Sequence, residues 1–150
     1  MSADSYKKII DFAIEQEQKA AELYEKTAEK AEGSGIVTIL KDMAKMERGH
    51  EAKLKAFKAG KDPNIGIEKV EDIRIGDYLV DVEITDSSSI QDVLIFSIKS
   101  EMKAYELYTQ LCDIYVEPKE QELFSNLATE ELKHKSDLQK LYDDQIYNEN

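Results

Sequence analysis

Apolar residues recur every three or four positions along four long stretches of the chain, which is the spacing of helices packed in a bundle. We expect the first helix over residues 5–32, the second up to residue 59, the third from residue 90, and the fourth over residues 118–145. The pattern therefore predicts an all-α protein in which four helices bury their apolar faces against one another.

Local signals mark the ends of these helices. Gly33-Ser34-Gly35 ends the first helix and opens a tight turn. Ser89 and Asp92 have the spacing of a capping box at the start of the third helix. Pro118 suits the first position of the fourth helix, where a missing N–H costs nothing.

The chain repeats itself at an offset of 84 residues, so that Ile14 corresponds to Ile98 and Ala20 to Ala104. Two helical hairpins, residues 5–59 and 90–145, are thus expected within a single domain of residues 1–150. The crossover at residues 60–89 is long enough to run the length of a bundle, so the second and third helices are expected to be parallel. Its many apolar residues indicate that it packs along the outside.

Six polar residues interrupt the apolar faces at matched positions in the two hairpins. Each hairpin contributes one Glu from its first helix and a Glu-x-x-His tetrad from its second; the six are Glu17, Glu47, His50, Glu101, Glu131 and His134. The sequence midpoint between the Glu and the tetrad falls on the expected turn in both hairpins. Each set therefore lies about 24 Å from its turn, and all six side chains are expected to meet at one level.

Four carboxylates that converge in an apolar core need positive partners, because each uncompensated buried charge costs several kcal/mol. Two divalent cations balance four carboxylates and leave both imidazoles neutral, the form that binds metal. Oxygen and nitrogen donors without thiolate favour iron or manganese, and zinc and cobalt would also bind. The six residues are therefore predicted to be metal ligands.

Three further residues are expected to lie beside the ligands. Tyr24 and Tyr108 follow their Glu by two turns on the same face, and are either core aromatics with satisfied hydroxyls or hydrogen-bond donors to a ligating carboxylate. Glu130 precedes a ligand and is a candidate to orient a histidine of the other hairpin.

Other positions are assigned by their place on the helices. The third helix is expected to turn Leu94, Ile98, Glu101, Tyr105, Tyr108 and Cys112 inward. Cys112 is then a small buried filler. Glutamates off the apolar faces are expected in solvent, namely Glu15, Glu22, Glu51, Glu106 and Glu122.

Composition narrows the function classes. A formal net charge of −12 argues against nucleic acid or an anionic membrane as a partner. The single cysteine excludes an internal disulfide and any Cys-x-x-Cys module. No apolar leader or long apolar stretch is present, so a cytoplasmic protein is expected.

The repeated motifs resemble those of the rubrerythrin-like branch of the ferritin-like superfamily across essentially the whole chain. They are Glu17-x-x-Ala20-x-x-Leu23-Tyr24, Met46-Glu47-x-x-His50, Glu101-x-x-Ala104-x-x-Leu107-Tyr108 and Leu127-Ala128-x-Glu130-Glu131-x-x-His134. The resemblance implies a ferritin-like four-helix bundle with a long crossover and a non-haem centre of two iron ions. It further implies that Glu47 and Glu131 bridge the metals, that Glu17 and Glu101 are terminal, and that each histidine binds one iron.

The chain departs from the full rubrerythrin pattern in two respects. The four-cysteine rubredoxin domain that delivers electrons is missing, so a separate electron-transfer protein is expected. Rubrerythrins also carry a Glu one turn after the third-helix ligand, where this chain has Ala104. The centre is therefore expected to resemble the six-ligand type of bacterioferritins and related oxidases.

These features predict a di-iron oxidoreductase that reduces peroxide or dioxygen, and family analogy implies a homodimer. Two alternatives stay open. One is a ferroxidase or iron-handling ferritin-like protein. The other is a non-enzymatic protein in which the metal pair only stabilises the bundle. A substrate hydroxylase is a weaker option, because 150 residues leave little room for a substrate pocket.

Overall fold

The computed structural model of the chain describes residues 2–60, 73–115 and 117–149. Four long helices make up most of it: α1 Ser2–Lys30, α2 Val37–Gly60, α3 Ile90–Ile114 and α4 Pro118–Glu149. A short 3₁₀ turn, Ile75–Tyr78, lies between α2 and α3. The described residues contain no strand, and the predicted all-α four-helix bundle is confirmed.

The helix ends have the expected local causes. Ser89 accepts a hydrogen bond from the Asp92 backbone N–H at 3.0 Å, and the Asp92 carboxylate accepts one from the Ser89 N–H at 3.3 Å. This capping box satisfies backbone donors at the start of α3. In the turn between α1 and α2, Gly33 has a φ of +89°, a conformation that side-chain-bearing residues rarely adopt.

Two apolar clusters fill the two ends of the bundle and reveal its topology. One cluster joins the start of α1, the end of α2, the end of α3 and the start of α4, through Ile10, Leu54, Leu111 and Phe124. The other joins the opposite ends of the same helices, through Ala28, Leu40, Leu94 and Leu138. Each hairpin is therefore antiparallel, whereas α2 and α3 run in the same direction. The last residue of α2 and the first residue of α3 therefore lie at opposite ends of the bundle.

Part of the crossover can be described. Residues 61–72 of the predicted crossover lie outside the described residues. Ile73, Ile75 and Tyr78 pack against the cluster at the end of α2 and α3, as its apolar composition predicts. Leu79 and Val82 are more exposed, at 51% and 47% of their surface.

The inward face of α3 differs from the prediction at three positions. Ile98, Tyr105 and Cys112 are only partly buried, whereas Ser97 and Leu111, the residues before Ile98 and Cys112, are buried. Because α3 packs against both α1 and α4, its buried stripe is centred one residue earlier. This register was not predicted because Ser97 is polar, and a pattern of apolar residues does not identify a buried serine.

Among the helices of the described residues, none has both the length and the apolar character required to cross a membrane.

Candidate metal centre

All six predicted ligands meet between the two apolar clusters, and each is 1–3% exposed. They form two overlapping groups whose donor atoms lie within 4.8 Å of one another: Glu17, Glu47, His50 and Glu131 in the first, and Glu47, Glu101, Glu131 and His134 in the second. Glu47 and Glu131 belong to both groups. This is the arrangement of two adjacent cation sites with two shared carboxylates.

The helix geometry explains why these side chains converge. Residues three apart lie on one face of a helix, so each Glu-x-x-His tetrad presents its carboxylate and imidazole together. The Nδ1 atom of His134 lies 2.7 Å from Oε1 of Glu47, and Nδ1 of His50 lies 2.6 Å from Oε1 of Glu131. Each histidine therefore faces the tetrad carboxylate of the other hairpin.

Several donor atoms are buried without a hydrogen-bond partner among the described residues. They are Oε2 of Glu17, Oε2 of Glu101, and the close pair of Nδ1 of His50 and Oε1 of Glu131, whose 2.6 Å contact lacks the geometry of a hydrogen bond. Unsatisfied buried polar atoms are costly, and a group of them that converges at bonding distance is best explained by an ion that they coordinate. The cluster fits a metal site by charge, donor type and geometry.

In the metal-free protein the clustered side chains shift one another's pKa values. Burial raises the pKa of Glu17 and of Glu131 well above the ordinary value, and neighbouring carboxylates raise each pKa further. Burial alone would lower the pKa of His50, but hydrogen bonding to Glu17 and Glu47 outweighs it and raises the pKa to about 11. Without a cation, the cluster therefore retains protons.

The two tyrosines contact carboxylates across the bundle. Tyr24 donates to Oε1 of Glu101, and Tyr108 donates to Oε1 of Glu17, both at 2.5 Å. Of the two alternatives that the sequence left open, the structure thus shows hydroxyls bonded to carboxylates of the predicted ligand set. Burial, followed by the nearby carboxylates, raises the pKa of both tyrosines well above its usual value, so they remain donors.

The outer nitrogen of each histidine has a different neighbour. Nε2 of His50 is hydrogen-bonded to the Glu130 carboxylate, the contact that the sequence proposed. Nε2 of His134 instead faces the sulfur of Met46 at 3.3 Å. Met46 was not predicted from the sequence as a neighbour of the site. The 84-residue offset could have found it, because position 46 corresponds to position 130.

A cavity of about 220 Å³ lies between α1 and α3, on the carboxylate side of the cluster. Glu17, Glu47, Glu101 and Glu131 border it, whereas neither histidine does. Its walls consist largely of residues related by the repeat, including the pairs Gln16 and Ser100, Lys19 and Lys103, Ala20 and Ala104, and Leu23 and Leu107. Tyr78 and Leu79 of the crossover also line it.

One of the glutamates expected in solvent, Glu51, is buried. Glu51 is only 9% exposed, and it accepts hydrogen bonds from Lys55 at 2.7 Å and Gln18 at 2.9 Å, and from Arg48. Lys55 is the main cause that lowers the pKa of Glu51 to about 2, and Gln18 adds to it. Glu51 thus ties α2 to α1 near the cluster. Glu15, Glu22, Glu106 and Glu122 are exposed, as predicted.

Comparison with known proteins agrees with this architecture. A family model described as Rubrerythrin matches residues 8–145, which include all six clustered residues. A search of curated proteins finds no match for the chain.

Proposed function

The chain belongs to the rubrerythrin family, and on that premise we propose that it is a non-haem di-iron oxidoreductase. Its substrate would be peroxide or dioxygen, and its electrons would come from a separate electron-transfer protein. The observation that carries the proposal is the pair of overlapping ligand groups that share Glu47 and Glu131.

The residues divide into bridging and terminal ligands by their positions. Glu47 and Glu131 belong to both groups and would bridge the two metals, whereas Glu17 and Glu101 would each hold one. His50 and His134 would each bind one ion through Nδ1, because that nitrogen faces the carboxylates. A pair of iron ions held in this way would supply two electrons to an O–O bond.

Iron is the metal that we propose, on the chemistry of the donors. Four carboxylates and two imidazoles without thiolate suit iron or manganese, and zinc would also bind. The family match favours iron among these. Burial and then repulsion between carboxylates raise the pKa of Glu17 and Glu131, and two divalent ions would neutralise the four carboxylates and remove that repulsion.

The cavity between α1 and α3 is the proposed path for the oxygen substrate. It reaches the four carboxylates directly, and its volume of about 220 Å³ accommodates a diatomic molecule or peroxide but no large organic substrate. Ala20 and Ala104 keep it open, because a longer side chain at either position would enter the space between the helices. The small cavity thus also argues against a hydroxylase for large substrates.

Reducing equivalents must reach this buried cluster from elsewhere. The 150 residues contain a single cysteine, Cys112, whereas a rubredoxin-type iron site requires four. We therefore propose a separate electron-transfer protein as the partner.

The proposal is tested by the reaction of the reduced protein with peroxide. The protein is loaded with iron(II) in the absence of oxygen, mixed with hydrogen peroxide, and followed by ferric absorbance. We expect rapid oxidation that is lost in a Glu47→Ala, Glu131→Ala variant. A matched control replaces the exposed, repeat-related Glu22 and Glu106 by Ala, and should oxidise like the wild type. Equal rates in wild type and the cluster variant would refute the proposal.

Ferroxidase activity is the second candidate, and Ala104 favours it. The extra glutamate of rubrerythrins is absent at this position, which leaves six ligands as in the bacterioferritin type. The two candidates differ in their oxidant and in their assembly. Faster oxidation of iron(II) by dioxygen than by peroxide, together with sedimentation as a shell of a dozen or more chains, would favour the ferroxidase. Faster peroxide reaction in a homodimer would favour the peroxidase.

A further inference from the structure

The two halves of the cluster differ at the pair of equivalent positions that contact the outer nitrogens of the histidines. Glu130 on α4 hydrogen-bonds with Nε2 of His50 through its carboxylate. The corresponding position on α2, 84 residues earlier, is Met46, whose sulfur lies 3.3 Å from Nε2 of His134. A charged acceptor thus supports one imidazole and a thioether supports the other.

The clustered glutamates and histidines and the two tyrosines follow the 84-residue repeat. Glutamates and histidines occupy identical positions in the two hairpins, and the two tyrosines donate to the carboxylates of the opposite hairpins at the same distance of 2.5 Å. The Glu130 and Met46 pair is therefore an inequivalence that acts directly on the two histidines.

The two acceptors differ greatly in strength. A carboxylate accepts a strong, charge-assisted hydrogen bond from an imidazole N–H, whereas a thioether is a weak acceptor. A carboxylate behind a ligating histidine fixes the ring and strengthens its donation to the metal, and loss of such a partner typically lowers metal affinity about 10- to 100-fold.

We propose that the two metal positions have unequal affinity and that Glu130 and Met46 set the order in which they fill. The first ion occupies the group containing His50, and the second occupies the group containing His134. The inference rests on the two-metal centre proposed above. Glu130 and Met46 would act as positioning residues for the two histidines and not as metal ligands.

A cobalt(II) titration of the metal-free protein tests this order, with visible absorbance and heat as readouts. The wild type should bind two ions in two steps that differ by about 10- to 100-fold in affinity. His134→Ala should retain the tighter step and lose the weaker one. His50→Ala should lose the tighter step.

Exchanging the two residues provides the decisive variants. Met46→Glu should tighten the second step toward the first, and Glu130→Met should weaken the first step toward the second. The double exchange should reverse the order, so that His134→Ala in that background removes the tighter step. Both positions are at least partly exposed, so the exchanges leave the core intact, which circular dichroism verifies. Met102→Glu, on an exposed face of α3, is the matched control and should leave both steps unchanged.

Two ions that bind with equal affinity in the wild type would overturn the inference, as would a double exchange that leaves the order unaltered. Absence of cobalt binding would overturn it together with the metal centre. Because binding is measured without oxidant, a protein that fails to react with peroxide but fills its sites in this order would refute only the proposed activity.

Discussion

Tyr24 donates a hydrogen bond to Glu101 at 2.5 Å although 77 residues separate the two along the chain. The equivalent pair, Tyr108 and Glu17, makes the same bond in the opposite direction between the hairpins. Both hydroxyls and both carboxylates are buried. The two hairpins are therefore linked at the level of the cluster by a reciprocal pair of polar contacts.

Removal of one of these bonds should weaken the bundle. Tyr24→Phe leaves a buried carboxylate oxygen of Glu101 without its donor, which should cost about 1–3 kcal/mol in the free energy of unfolding. Tyr108→Phe should cost a similar amount, since the contact is equivalent. Urea unfolding of the metal-free protein measures both. Tyr105→Phe, at a partly exposed position of α3, is the control and should change stability little. Equal stability of Tyr24→Phe and the wild type would show that the bond contributes nothing.

Neutralising one shared carboxylate should stabilise the metal-free protein while it impairs metal binding. Burial and repulsion from other carboxylates raise the pKa of Glu131 well above its usual value, so its charged form is disfavoured. Glu131→Gln has the same shape without the charge, and we expect it to raise the free energy of unfolding at pH values where Glu131 is ionised. The gain should disappear at pH values where Glu131 is protonated.

Thermal unfolding with and without metal distinguishes the two effects. Glu131→Gln should unfold at a higher temperature than wild type in chelator and gain less stability on metal addition. Glu106→Gln, at an exposed position, is the control for loss of a charge. A lower unfolding temperature of the metal-free Glu131→Gln protein would contradict the account.

The metal-free protein should become less stable as pH rises above neutrality. His50 has a pKa of about 11 in the folded protein, above its ordinary value of about 6.5, so the native state binds more protons than the unfolded state. The contribution of His50 to the free energy of unfolding is complete below about pH 6.5 and declines as pH rises toward 11. The raised pKa of Glu17 and of Glu131 acts in the same direction above their unfolded pKa of about 4.3.

Melting temperatures between pH 6 and pH 9 test this predicted fall in stability. The only other histidine, His134, belongs to the same cluster. Burial lowers its pKa, but hydrogen bonding to Glu47 outweighs burial, so the pKa of His134 is also raised. The metal-free protein should therefore melt at lower temperature as pH increases. The metal-loaded protein should not, because cations bind the deprotonated ligands. A metal-free melting temperature that rises across this range would be inconsistent with the protonated cluster.

Filling the cavity should slow the reaction with oxidant without removing the metal. Ala104→Leu places a larger side chain in the space that borders the four carboxylates, and we expect peroxide oxidation of the iron-loaded protein to slow at least roughly tenfold. Iron content should stay the same. Ala52→Leu, on the exposed face of α2, serves as the control. An undiminished rate would show that the oxidant reaches the cluster by another path.

The sequence predicted the bundle and the convergence of the six residues because both follow from periodicity. The helix period placed Glu17 and the tetrads on buried faces, and the turn at Gly33 set their common height. The face of α3 was predicted less well, because steps of three and four fit two adjacent registers. Only packing against α1 and α4 selected Ser97 and Leu111 over Ile98 and Cys112.

Contacts between helices were harder to predict from the sequence. Glu51 was expected in solvent because it lies off the apolar face, yet Gln18 and Arg48 surround it in the fold. The proximity of Met46 to His134 likewise depends on how α2 lies against α4. Periodicity describes one helix at a time and carries no information on the partners across an interface.

Iron stoichiometry tests the central claim most directly. The metal-free protein is equilibrated with excess iron(II) without oxygen, freed of unbound metal, and analysed for iron per chain. We predict two irons per chain in the wild type and in the Glu22→Ala, Glu106→Ala control, and loss of both in the Glu47→Ala, Glu131→Ala variant. Fewer than two irons in the wild type, or two irons in the cluster variant, would contradict the account.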